Sequence, residues 1–500
     1  MRLRSRPRRS RDGAAPGAPF DAWTPVGNLD TSVRVQVDRA GRVFAPGRSW
    51  TLDWWIGAED RWHRPVQEAA VRQGLVGASP VVETRVRIPS GDAVSRVYGA
   101  RGPGAEDLLV VEVQNDSKLP FALALVVEPC GGAAVRDLAL RGPALWVDDE
   151  PIWLARSPGR FALSTAAHDR TALEVVLAGD AEPVRSAAVS CADGGARGVL
   201  LFPLAHTATL RIAVPLDGAA RPVDVAGLPS ASQVASGWAA HSASAARVEV
   251  PDRRLREAVS ASTRYLLLGA ARDDASLATI AARWRFTGGT ADPLAIAALV
   301  QTWTASESPT DRATGHLALP AIADLLDAMD EHRAAADVRT LHRSETPPTP
   351  PSDPYALLDD ASPTWTWASD GAGHDPSRSA AFLLAVRDLL VDDAGERLAL
   401  SPVVPDAWLG LGWEVHDLPT RFGRLSFAVR WHGDRPAVLW ELEPSGPGTA
   451  RLTAPAMDPS WSSTNPRGEA LLAPVPVPER ASGRRGLTIP VTIEPVRRRP

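Results

Sequence analysis

Between about residue 28 and residue 250, apolar and polar positions alternate in short runs separated by Gly, Pro and Asp. Val33, Val35 and Val37 form one run and Val82 to Ile88 another; LLVVEVQ at 108–114, FALALVVE at 121–128 and LRIAVPL at 210–216 continue the pattern. Successive side chains of an extended strand point to opposite faces, so period-two runs broken by turn residues predict a large antiparallel β-sandwich. At Asp252 the period changes. Leu255, Val259, Ser262 and Leu266 fall on one helical face behind Asp252, a residue suited to cap a helix N-terminus. Ile296, Leu299, Val300 and Trp303 repeat that spacing behind Asp292 and Pro293, which fit the cap and the first turn. Ile322, Leu325, Leu326 and Met329 make a further face, and Phe382, Val386, Leu389 and Leu390 another, entered through Asp375 and Pro376. Between them SETPPTPPSDP at 344–354 cannot be helical and reads as an extended linker. Strands return beyond 396. Leu425, Phe427, Val429 and Trp431 alternate, HGDR at 432–435 is a turn, AVLWEL at 437–442 is its return strand, and LTIPVTIE at 487–494 closes the region.

The pattern therefore predicts a multidomain α+β chain. Its expected parts are a disordered basic leader at 1–20, an antiparallel β-sandwich domain at 21–250, a helical domain at 251–395 that contains the Pro-rich linker, and a small C-terminal β-sandwich at 396–500. A length of 500 residues supports this, since one hydrophobic core does not serve so long a chain. With 44% apolar and 23% charged residues the composition is that of an ordinary globular protein.

Charge and rare residues narrow the chemistry. A formal charge of -5 gives no reason to expect a nucleic-acid or anionic-membrane partner. No run of about eighteen apolar residues offers a membrane span, and the basic start MRLRSRPRRSR is followed by Asp12 and Gly13 where a signal peptide needs an apolar stretch. A cytoplasmic location is the expectation. Cys130 and Cys191 are too few for a disulfide framework or a thiolate metal site and read as buried thiols. Lys118 is the single lysine, and its context, VQNDSKLPF, suits neither a Schiff base nor a P-loop. His63, His374 and His416 stand singly, so neither a metal nor another cofactor is expected.

Two clusters carry candidate chemistry. The first, SPTWTWASDGAGHDP at 362–376, brings together Trp365, Trp367, Asp370, His374 and Asp375. Aromatic faces can cover the C–H groups of a pyranose, while carboxylates and an imidazole meet its hydroxyls, so an oligosaccharide or glycoside is the expected ligand. Each residue also has an ordinary structural role open to it. Asp375 precedes Pro376 and a helix, where an N-cap is needed; Asp370 sits in a Gly-flanked turn; the tryptophans can equally be core. The second cluster is WTLDWWIGAEDRWHRP at 50–65, with Trp55, Trp62 and His63 as binding candidates and Glu59 and Asp60 as candidate acids. Its alternative is a buried strand followed by a charged turn.

The element order and two local motifs resemble the six-hairpin (α/α)-toroid glycosidases, the group of glucoamylase-like, rhamnosidase-like and glycan-phosphorylase enzymes. One motif is the Trp-containing loop leading into the helix GAGHDPSRSAAFLLAVRDLLV; the other runs from 398 to 431, where Pro402, Pro405 and Trp408 are followed by Pro419, Thr420, Phe422 and Gly423. The resemblance implies a sandwich, a helical toroid and a C-terminal β-domain, with paired carboxylates as acid and base. Two departures shape what is expected. Twelve helices of mean length with their loops need on the order of 190 residues, more than 251–395 provides, so the toroid is expected to be incomplete. Where the rhamnosidase-like branch carries a glutamate after the tryptophan, this chain has Thr366, whose hydroxyl is too weak an acid to serve as a base. The resemblance thus implies a relative with weak or lost catalysis that keeps glycan binding or a structural role. The alternative is an active glycosidase pairing Asp370 or Asp375 with Glu59 or Asp60. An incomplete toroid exposes apolar helix faces, and a homodimer covering them is expected.

Overall fold

The computed structural model describes residues 23–29, 35–45, 47–183, 187–217, 221–268, 276–345, 353–368, 374–445 and 450–476. The leader at 1–20, Val33, the strand expected at 487–494 and Asp370 lie outside these residues, as does most of the 344–354 linker.

The N-terminal half is built on two antiparallel sheets. In one, strands Thr24–Val26, Val35–Val37, Val43–Phe44 and Trp50–Gly57 run on into Phe121–Pro129, Arg197–Leu204 and Arg160–Ser164. In the other, Glu150–Leu154 and Thr209–Pro215 lie beside Asp107–Ser117, Gly91–Arg101 and Val81–Ile88. Leu52, Trp54, Ile56, Leu123 and Phe202 from the first sheet share a core with Val82, Val97, Leu109, Val111 and Ile212 from the second. The alternation read from the sequence is the alternation of this core.

The runs LLVV and LVV are apolar on both faces for a further reason. The outer face of the first sheet, at Trp55, Ala124 and Val126, is covered by helix α1 (Ala172–Leu177) through Ala172 and Val176. The outer face of the second, at Tyr98, Leu108 and Val110, is covered by helix α2 (Ala231–His241) and Leu228. A strand buried on both faces loses its polar alternation. Both helices fall within 21–250, where the sequence pattern had indicated only strands.

Seven helices are described between Arg253 and Leu390: α3 (Arg253–Leu267), α4 (Leu277–Thr287), α5 (Pro293–Ala305), α6 (Pro309–Ala328), α7 (His332–Ser344), α8 (Pro354–Asp359) and α9 (Pro376–Leu390). Helix α4 is central and packs against α3, α6, α9 and strand Trp413–Thr420. The caps follow the sequence: Asp252, Asp292 and Asp375 accept backbone N–H bonds at the starts of α3, α5 and α9.

The C-terminal strands form two sheets. One orders Arg247–Glu249, Trp413–Thr420, Gly423–His432, Arg435–Pro444 and Arg467–Leu471; the other orders Val391–Asp392, Arg397–Leu400, Arg451–Ala454 and Asp458–Ser463. The hairpin expected around HGDR is present, with His432 opposite Arg435. Gly423 adopts φ +131°, and a Cβ there would stand 1.9 Å from the carbonyl oxygen of Glu443, so this turn requires glycine. One apolar cluster contains Leu255 and Phe286 from the helices together with Val415, Phe427 and Leu452 from the strands. Helices and C-terminal strands, expected as two units, therefore share one core.

Candidate functional site

Helix α9 begins at Asp375 because Pro376 presets the first helical φ and the aspartate satisfies two otherwise unpaired donors. Its Oδ1 accepts from the backbone N–H of Ser377 at 2.8 Å and of Arg378 at 3.3 Å. Burial pushes the Asp375 carboxyl up, against the pull of those two N–H bonds. The carboxylate is thus occupied as a cap. Ahead of it, Ala368 pairs with His374 as an isolated bridge, and Asp375 N–H donates to Trp367 O at 2.8 Å.

The rest of the loop is held by a chain of hydroxyls. Ser362 Oγ lies 2.8 Å from Thr366 Oγ1 and 2.9 Å from Thr364 Oγ1, which lies 2.6 Å from Thr24 Oγ1 on the first sheet. Thr366 is fully buried. Its hydroxyl is closed to solvent, and the Thr364 hydroxyl joins the loop to the sandwich. Tyr265 of α3 adds a bond from its hydroxyl to Thr364 O at 2.8 Å and stacks on His374, ring centroids 5.3 Å apart.

The two tryptophans differ. Trp367 is fully buried, donates from Nε1 to Leu357 O at 2.9 Å and packs on Phe382 at 5.3 Å. It is core and has no face for a sugar. Trp365 is half-buried and sits at φ +58°, a left-handed conformation that bulky residues seldom adopt. Of the two, Trp365 keeps some exposed surface, and it packs beside Trp238 and Tyr265.

Beside this loop, at the N-terminal ends of α4 and α9, lies a cleft of about 260 Å³ lined by Ser276, Ser377, Thr302, Thr314, Asp311 and Trp303. Ser276 caps α4 and its Oγ meets Ser377 Oγ at 2.9 Å. Asp311, in the first turn of α6, acts electrostatically on Asp375 and raises it. The Arg312 guanidinium covers Trp303 at 4.7 Å. Hydroxyl donors, one carboxylate and an indole suit hydrogen bonding to a single polyol ring. Sequence reading missed Ser276, Ser377 and Asp311. The Ser-x-x-Thr capping pattern before LATIAARW was the available signal for Ser276.

The second cluster lies elsewhere. Trp55 is buried, donates from Nε1 to Asp53 Oδ2 at 3.0 Å and is covered by Arg64 at 4.4 Å, so it too is core. Trp62 lies against Gly57. His63 is buried, with Nε2 2.9 Å from Asp60 Oδ1 and Nδ1 3.2 Å from Glu68 Oε1, while Arg61 grips Glu68 at 2.5 and 3.0 Å. The hydrogen bond from His63 holds the Asp60 carboxyl below its ordinary range. These are contacts within one charged turn. Glu59 is exposed and borders a shallow hollow beside Phe121 and Arg160.

Sheet register separates the two clusters. Thr24, which touches Thr364, pairs with Val37, Val37 with Val43, and Val43 with Leu52. Gly57 lies five residues farther along that strand, and three strand spacings across, which places it on the order of 20 Å from Thr24. Acid and base in glycoside hydrolysis stand within roughly 10 Å. The 59–60 turn and the Thr364 end of the loop are not brought together. Among the described residues no cluster of His, Cys, Asp or Glu could hold a metal ion, and no helix is long and apolar enough to cross a membrane.

No family model and no curated protein matches the sequence. Among solved structures, a bacterial glucoamylase complexed with acarbose matches at a TM-score of 0.39 and 8% identity, over 66% of this chain and 68% of that one. A family GH92 α-mannosidase from Bacteroides thetaiotaomicron matches at 0.23 and 7% over 66% of this chain and 56% of its own. The same mannosidase with mannoimidazole matches at 0.24 and 4%, over 65% of this chain and 61% of its own. Identities this low carry no residue of those enzymes' sites onto this chain.

Proposed function

We propose that this chain is a shortened, glycosidase-like protein of carbohydrate metabolism that binds an oligosaccharide or glycoside in the cleft at the N-terminal ends of α4 and α9, with catalysis weak or lost. The helical block is read as an incomplete (α/α)-toroid. One observation carries the reading: the cleft at the start of α9 keeps sugar-compatible groups in Ser276, Ser377, Asp311 and Trp303, while Asp375 is engaged as a helix cap and Thr366 is sealed among hydroxyls. Binding groups remain where the Asp375 carboxylate is tied down.

The test measures saturable binding of maltose, mannobiose and rhamnose by calorimetry beside turnover of the matching nitrophenyl glycosides. Expected is saturable binding of at least one sugar, weakened by about tenfold or more in Asp311→Ala, as loss of a charge-assisted hydrogen bond requires. Turnover should stay at background. Turnover abolished in Asp370→Asn, with binding kept, would show an active enzyme and overturn the loss of catalysis. Binding that ignores Asp311→Ala would overturn the site.

A further inference from the structure

At the other ends of α4 and α9 a second, larger cleft of about 920 Å³ opens against α6 and α7. Its wall is charged, and the charges come from well-separated stretches: Arg285 of α4, Asp324 of α6, Arg339 of α7, Arg387 of α9, Asp393 and Arg421. An adjoining hollow of about 720 Å³ shares Asp324 and Arg421 with it.

The floor is an ion network. Asp393 Oδ2 accepts from Arg285 Nη1 at 2.8 Å, Arg387 Nη2 at 2.8 Å and Arg421 N–H at 3.0 Å. Arg285 reaches Asp324 through its other nitrogen at 2.5 Å, and Arg339 reaches the second oxygen of Asp324 at 3.2 Å. Arg285, Arg387 and Asp393 are each 4% exposed. Burial opposes the charge on Asp393, but Arg387 and Arg285 outweigh it and hold the carboxyl at about 2.

Two features go beyond a structural staple. Arg339 is shared by Asp324 and Asp327, but Arg343 and Arg421 stand exposed on the wall. Arg387 Nε is buried with no hydrogen-bond partner, and so is His342 Nδ1, on a ring stacked against His316 at 4.2 Å. A desolvated guanidinium N–H without an acceptor is costly, and a carboxylate or phosphate oxygen is the partner that relieves it best. Asp388 stands on the same wall. Its carboxylate is exposed to the cleft and open to accept hydrogen bonds. Donors and acceptors alternating around a roomy cleft match a polyol that carries one acid group.

We propose that this cleft binds a small anionic sugar, its carboxylate or phosphate held by the Arg387, Arg421 and Arg343 side of the wall and its hydroxyls by Asp388 and Asp324. The site is separate from the loop beside Trp365 and does not depend on it. Calorimetry on the full chain with D-glucuronate, D-glucose 6-phosphate, inorganic phosphate and D-glucose distinguishes the sources of the acid group. Expected is saturable binding of glucuronate or glucose 6-phosphate, about tenfold or more tighter than glucose or inorganic phosphate. The double variant Arg343→Gln, Arg421→Gln changes exposed side chains only and should weaken that binding by about tenfold or more, while Trp365→Ala leaves it unchanged. Absence of binding, equal binding of glucose and the acids, inorganic phosphate binding as tightly as the sugar acid, or affinity untouched by the double variant would each overturn the proposal.

Discussion

Helices α4 and α9 present two polar ends that are built in opposite ways. At the N-terminal end much of the pairing is close by in sequence, with Asp375 bonded to the N–H two residues on and Ser362 to Thr366 four residues on, though Thr364 also reaches Thr24 across 340 residues. At the C-terminal end the charged partners come from farther off, with Arg285 bonded to Asp324 across 39 residues and to Asp393 across 108, while Arg387 bonds Asp393 six residues on. Short-range pairing punctuates a chain, ending a loop or starting a helix. Long-range pairing among charges exists only because the fold carries them to one place. The conspicuous loop is thus largely self-satisfied, and the unremarked residues form the concentrated electrostatic feature.

Removing a partner from the remote network should have the largest effect. Asp393→Ala leaves Arg387 buried without its carboxylate and Arg285 with Asp324 alone, so we expect a loss of roughly 3–5 kcal/mol in denaturant unfolding at pH 7. The sign of its pH dependence follows from a carboxyl held at about 2, below its ordinary 3.8. Its stabilising effect is full above the unfolded value and is lost as pH falls from about 4 towards 2, so variant and parent should converge in acid. Asp53 works in the opposite sense: burial lifts its carboxyl to about 6, and its contribution is lost as pH rises from about 4 through 6. A loss below about 1 kcal/mol in Asp393→Ala would mean that the network does not hold the two ends apart in kind.

A comparable loss is expected inside the loop only where a residue is core. Trp367→Ala should cost about 3–5 kcal/mol, whereas Trp365→Ala, half-buried, should cost less than half as much. Equal costs in thermal unfolding would contradict the division drawn between the two rings. The smallest effect belongs to the cap. Asp375→Ala should lose about 1 kcal/mol, and Asp375→Asn, which keeps an accepting oxygen, should recover most of it. A cost unchanged in the asparagine variant would show that the charge matters beyond capping.

Much of the fold was legible because it is local. Asp252, Asp292 and Asp375 announced three helices through cap chemistry, and the alternating run from Leu425 to Trp431 with its HGDR turn announced a hairpin. Helix α4 was not legible. Leu277, Ala278, Ile280, Ala281, Ala282 and Phe286 are all buried, so the central helix has no polar face and hence no stripe to read. The aromatic signal was legible as apolar mass but ambiguous in role: Trp55 and Trp367 are buried, and nothing in a spacing separates a core indole from a binding one. The cleft network was invisible for the reason given by its sequence separations, since no window along the chain contains both Arg285 and Asp393.

Strand Arg247–Glu249, which precedes every helix of the central block, pairs with Trp413–Thr420, which follows them all, and places Glu249 opposite Glu414. During synthesis that partner does not exist until the helices have already emerged. At about 5–20 residues per second the wait is on the order of 10–30 s, during which α4 lacks the strand it packs against. The sandwich, complete by Pro215, has no such wait. A nascent chain therefore carries a finished N-terminal body and an unfinished helical one, and it is in that interval that the chain most needs protection from aggregation.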